Sequence, residues 1–172
     1  MKDTLRKIFT ALVAITALNA CDSVDDNRIP FAEVHLTFPN VGVWNIYGVS
    51  GAVDYRRYIN TPTEKFPADF PYTALDRTGY GGLLLVSDIL GDVHVYDLSC
   101  PVEARPNVRI YVPQAPGGGN EQYAECPSCK SRYDVFVNRG NPMSGLAAER
   151  GFGLQRYSIV SGGATEYRVI TR

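Results

Sequence analysis

The residues best equipped for chemistry in this chain are three cysteines. Cys100 closes the run Tyr96-Asp97-Leu98-Ser99-Cys100-Pro101-Val102-Glu103, and 26 residues later comes Cys126-Pro127-Ser128-Cys129. A thiolate is a soft ligand suited to zinc, copper(I) or an iron–sulfur centre. Cys126 and Cys129 have the spacing that lets two side chains converge on one centre. Cys100 joins them where two loops, residues 98–103 and 126–131, fold against each other. A closed zinc site or a [2Fe-2S] cluster takes four protein ligands, and this region supplies three thiols. Glu103 or water completes a zinc site. Outside the cytosol, thiols tend to pair instead. A bridge from Cys100 to Cys126 or Cys129 staples the two loops and leaves one odd thiol. Closing Cys126 to Cys129 alone makes a small redox-type ring, but no βαβ pattern surrounds it. An iron–sulfur centre, zinc, and a metal-free or disulfide-linked set all stay open on residue types alone.

The elements that must position these thiols read as strands. The chain has 16 glycines and 11 prolines, and helical periodicity is hard to find. Strand-like runs bounded by turn residues dominate. They cover residues 31–38, 42–49, 81–87, 93–97, 108–112 and 133–137. Residues 81–87 are continuously apolar and predict a strand buried on both faces. Residues 108–112 alternate, with Val108, Ile110 and Val112 on one face. Residues 154–160 and 165–170 predict a terminal pair joined through Ser161-Gly162-Gly163. Pro62, Pro67 and Pro71 rule out a long helix over residues 58–77, leaving room for a short helix or turn at 72–76. His94 reads as an ordinary strand histidine, with a fourth ligand to the thiols as the lesser alternative; His35 has no partnering ligand motif, and Trp44 is core. The fold class expected is all-β: one small antiparallel sandwich or barrel-like domain over residues 30–172.

The N-terminus has a different character. Lys2, Arg6 and Lys7 precede an apolar stretch from Ile8 to Leu18, the pattern of a secretory signal and too short to span a bilayer. Leu18-Asn19-Ala20-Cys21 resembles the lipobox of bacterial lipoproteins. That resemblance implies cleavage after residue 20 and a lipid anchor on Cys21. Residues 21–29 include Asp22, Asp25 and Asp26 and read as an acidic, solvated tether. The tether is similar to the export tag of surface lipoproteins in the Bacteroidetes group. An outer-membrane location is implied, on the periplasmic or the cell-surface face.

The cysteine loops carry a further resemblance. Gly81-Gly82-Leu83-Leu84-Leu85-Val86, with Val95 to Pro101, resembles the approach to the first ligand loop of a Rieske domain. Cys126-Pro127-Ser128-Cys129-Lys130-Ser131-Arg132-Tyr133-Asp134 resembles the second loop and the strand leaving it, and Pro142 with Gly145 resembles the loop shielding the cluster. The coverage runs from about residue 80 to 160, and the likeness is greatest to Rieske-like [2Fe-2S] lipoproteins of the Bacteroidetes group. That family holds its cluster with two cysteines on one iron and two histidines on the other. Here Cys100 and Cys126 match the cysteines. Val102, which has no donor atom, and Cys129 stand at the histidine positions. The resemblance also implies that Tyr133 and Ser131 donate hydrogen bonds to sulfur. A cluster in which thiolate replaces imidazole is harder to reduce than a Rieske centre.

Charge and composition exclude more than they assign. Lys and Arg number 17 against 18 Asp and Glu, a formal charge of −1, with no basic stripe; nucleic acid is not an expected partner. No nucleophile–base–acid set suggests hydrolysis. Two classes of function compete. One is an anchored one-electron carrier with a redox partner in the envelope. The other is a non-redox binding or structural module whose thiols hold zinc or pair. The 11 tyrosines suit a contact face of such a module or simply fill a β core.

Overall fold

The computed structural model describes residues 24–162 and 167–172; Cys21, the expected lipidation site, and residues 1–20, the expected signal peptide, lie outside them. In chain order the elements are β1 (Val34–Phe38), α1 (Val41–Tyr47), β2 (Asp54–Asn60), β3 (Lys65–Phe66), β4 (Arg77–Thr78), β5 (Leu83–Ser87), β6 (Val93–Asp97), β7 (Ala124–Glu125), β8 (Arg132–Asp134), β9 (Asn141–Ser144), α2 (Leu146–Arg150), β10 (Arg156–Ser161) and β11 (Arg168–Thr171). Among the described residues, eight strands form one sheet in the order β3-β2-β5-β6-β10-β11-β1-β4, and β7-β8-β9 form a second, with every strand pairing antiparallel. The large sheet curls. Asn60 of β2 donates from its backbone to the Thr78 hydroxyl and from its side chain to the Asp76 carbonyl, tying one side of the sheet back to β4. The result is an all-β half-barrel with a small sheet packed on its outside.

This arrangement explains why Leu83 to Val86 form an unbroken apolar run. Leu83 and Leu85 point into the curl, among Leu36, Phe38, Tyr58, Phe70 and Ile170. Leu84 and Val86 point the other way, toward Tyr133, Phe136 and Leu154 under the small sheet. A strand sandwiched between two cores loses its alternation because neither face meets water. The cysteines belong to the second core: Cys100 and Cys126 lie in its cluster and Cys129 packs against it.

Several sequence expectations change. Residues 41–47 are a helix, not a strand. Asn40 caps it by accepting from the Val43 N–H, and Gly48 ends it with a bond to the Trp44 carbonyl. Its Val, Trp, Ile and Tyr content imitates a strand, but Trp44 alone is buried. The strand β2 was concealed by its polar residues; Arg56 and Arg57 lie within a segment only partly buried. Residues 108–112 keep their alternation, with Ile110 and Val112 buried, yet join their neighbours through isolated bridges, not a ladder. The terminal pair is present as β10 and β11, joined in register from Ser158↔Thr171 to Ser161↔Arg168.

Residues 24–29 pack on the domain instead of trailing in solvent. The Asp25 N–H donates to the Gly151 carbonyl at 2.7 Å, and the Gly153 N–H donates back to the Asp25 carbonyl at 2.9 Å. Asp26 pairs with Arg156, the Arg28 guanidinium lies over the Phe152 ring, and Ile29 is buried.

Candidate metal centre

Both cysteine loops are built alike. Each starts Cys-Pro, and in each the N–H four residues on returns to the cysteine carbonyl: Ala104 to Cys100 at 2.8 Å and Lys130 to Cys126 at 3.1 Å. That fifth residue takes a left-handed conformation in both, with φ of 48° at Ala104 and 58° at Lys130. The chain thereby wraps around each sulfur. The N–H groups of Val102 and Glu103 point at the Cys100 sulfur, and those of Ser128 and Cys129 at the Cys126 sulfur. Backbone N–H groups directed at sulfur favour thiolate, the form that binds metal. In this correspondence Glu103 occupies in the first loop the place that Cys129 holds in the second.

One short segment brings the loops together. Ser99 bridges to Arg109, and Tyr111 bridges to Glu125, so residues just before each cysteine attach to positions two apart on the same extended stretch. The Cys100 N–H donates to the Val108 carbonyl at 3.0 Å and the Ile110 N–H to the Leu98 carbonyl at 2.8 Å. Asp97 clamps the first loop from below. Its carboxylate accepts from the N–H groups of Ser99 at 2.7 Å and Tyr80 at 3.0 Å, and from the Tyr157 hydroxyl at 2.9 Å. Burial pushes this carboxyl up, while those donors pull the other way. The Gly81 N–H also points at it, at 3.1 Å. Gly81 has no room for a side chain, because a Cβ there would overlap the Ser99 hydroxyl oxygen.

The three sulfurs converge. All three lie within 4.8 Å of one another, with Cys100 and Cys129 at 3.6 Å. Cys100 and Cys126 are fully buried and Cys129 is partly open. The thiols are free, at non-bonded separation. Cys100 is pulled below the ordinary thiol value by a hydrogen bond from Cys126, against burial, with help from the Tyr133 hydroxyl. Cys126, as donor in that bond and buried as well, is pushed up. The buried Tyr133 hydroxyl lies 3.4 Å from the Cys100 sulfur. Ser131 is also buried; its oxygen accepts from the Cys129 thiol at 3.2 Å and from the Ala147 N–H at 3.1 Å. Gly145 leaves the space for this contact, since a Cβ there would meet Ser131 at 3.1 Å. This is a buried three-cysteine cluster able to coordinate a metal ion.

Glu103 has other partners. One carboxylate oxygen accepts from the Ser128 hydroxyl at 2.8 Å, linking the two loops, and the other pairs with Arg105 at 2.5 Å. Val102 is partly buried beside the cluster. His94 bonds to Asp88 at 3.0 Å, at the end of β6 away from Cys100. The clamp at Asp97 and the bridging stretch 108–112 were not anticipated from the sequence. The repeated Cys-Pro start was the visible signal for the paired loops. No family model, curated protein or solved structure matches the chain.

Proposed function

We propose that this chain is an envelope lipoprotein whose β domain holds one metal ion, zinc, at Cys100, Cys126 and Cys129 in a structural, non-redox role. The spacing of Cys100 and Cys129, 3.6 Å, carries the reading. Tetrahedral zinc with bonds of about 2.3 Å places its sulfurs about 3.8 Å apart. The ion fastens together two loops that share no regular strand pairing, and Ser131 and Tyr133 orient the thiolates. The fourth position falls to water, because both carboxylate oxygens of Glu103 are held by Ser128 and Arg105.

The donor set does not fit the two-iron cluster that the Rieske resemblance implies. In that cluster Cys100 and Cys129 would bind different irons, with an iron–iron vector between them, yet their sulfurs stand as close as two ligands of one metal. Val102 adds no ligand. One observation favours a redox reading all the same: the Tyr133 hydroxyl reaches the Cys100 sulfur, as the resemblance implies. Anaerobic purification with zinc, iron and sulfide measured together tests the choice. About one zinc per chain, free of iron and sulfide, is expected of a single-ion site. Iron and sulfide at about two each would overturn it in favour of an electron carrier.

A further inference from the structure

The turn between β5 and β6 puts Ile89 and Leu90 at its tip, where glycine, asparagine, aspartate or serine is usual. Leu90 is 83% exposed and Ile89 48%. The tip is held rigidly: Asp88 accepts from the N–H groups of Leu90 at 2.8 Å and Asp92 at 2.9 Å, and His94 grips its other oxygen. The Ile89 N–H bonds to the Phe136 carbonyl in the β8–β9 turn, whose own tip residue, Val137, is 57% exposed. The same turn continues to Gly140, which accepts from the Leu154 N–H at 3.0 Å. Next to Leu154 is Gly153, the residue on which Val24 packs. Between these features, β6 and β10 diverge around a groove of about 370 Å³ lined by His94, Arg139, Arg156, Ile159 and Val160.

Val24 is thereby linked through Gly153, Leu154, Gly140 and Phe136 to Ile89, an edge of joined loops that ends at Leu90. It is fixed there by the Asp25 bonds, the Asp26–Arg156 pair and the Arg28–Phe152 stack. Cys21 precedes Val24 by three residues, a stretch of chain that reaches at most about 11 Å. A lipid on Cys21 would therefore hold the domain close to the bilayer.

We propose that this edge, with Val24, Val137, Ile89 and Leu90 as its apolar points and Arg139 toward the headgroup phosphates, rests in the lipid interface. The proposal depends on the reading of Cys21 as the anchored residue. Apolar side chains presented at a membrane surface enter the boundary between headgroups and acyl chains and add to the hold of the anchor.

The test uses the full chain, processed in a lipidating host and reconstituted in phosphatidylcholine vesicles, with acylation of Cys21 read by mass. Two exposed positions receive tryptophan: Leu90→Trp on the edge and Leu75→Trp beside β4, four strands from β6. Emission of Leu90→Trp should shift to the blue and fall about two-fold with lipids brominated at a depth of roughly 5–10 Å, while Leu75→Trp stays unchanged. A lipidated chain in which both positions behave alike overturns the membrane-facing edge and leaves the anchor standing. A mature chain without acyl groups overturns the anchor reading and this proposal with it.

Discussion

Zinc binding at the three sulfurs should expel protons, and the geometry sets a minimum number. Each ligand binds as thiolate. The Cys126 thiol is pushed up by its hydrogen bond to Cys100 and by burial, so it keeps its proton across the neutral range. Cys100 is shifted down by the same bond and contributes less. At least the Cys126 proton must leave for every ion bound. One released proton makes affinity rise about tenfold per pH unit, about 1.4 kcal/mol. Between about pH 6 and 8, zinc affinity of the reduced chain should tighten roughly 100-fold or more. Competition against a chromophoric chelator measures that slope, and calorimetry in buffers of different ionisation heat counts the protons. Cys126→Ser should both weaken binding and flatten the slope. An affinity independent of pH over this window would refute the assignment of Cys126 as a protonated ligand, and with it the idea that one proton is shared between the two buried sulfurs.

Other expectations concern what holds the loops. Asp97→Ala leaves the backbone donors of Ser99 and Tyr80 and the Tyr157 hydroxyl without their buried acceptor; stability to urea should fall by about 3–5 kcal/mol, and a loss below about 1 kcal/mol speaks against the clamp. Gly81→Ala drives a methyl group into Ser99, whose backbone nitrogen stands 2.8 Å from where the new Cβ would lie; zinc affinity should drop because the Cys100 loop must move, and unchanged affinity contradicts that coupling. Burial alone would raise the Asp88 carboxyl, but bonds from His94 and from the N–H groups of Asp92 and Leu90 hold it below the usual range. A depressed carboxyl stabilises the fold above its unfolded value, near about 4, and that contribution disappears as pH falls through the folded value. Asp88→Asn should therefore lower Tm at neutral pH and narrow the gap to wild type in acid; a constant gap across the acid range counts against the pairing.

The all-β character was legible because turn residues punctuate short apolar runs, and β5 announced itself through four consecutive apolar residues. The misreadings have identifiable physical causes. In residues 41–47 a strand-like composition met a helix cap at Asn40, and the cap decided the outcome. In β2 the two arginines hid a strand: the Arg56 guanidinium pairs with the Asp54 carboxylate and that of Arg57 lies over the Phe66 ring. The N-terminal aspartates looked like a solvated tether because composition cannot reveal that Asp25 and Asp26 find partners at Gly151, Gly153 and Arg156, all more than a hundred residues away along the chain.

By itself the sequence determined the candidate ligand atoms: three soft thiols, two of them at metal-binding spacing, with a Cys-Pro start shared between the loops. Their meeting was decided in three dimensions. Residues 108–112 attach to Ser99 on one side and Glu125 on the other through bridges two positions apart, and this short common support brings sulfurs from distant loops within 4.8 Å. Spacing along a chain fixes distances only where the backbone between two residues is short and regular. Across the 26 residues from Cys100 to Cys126, hydrogen bonds to a third segment set the separation, and no local pattern encodes them.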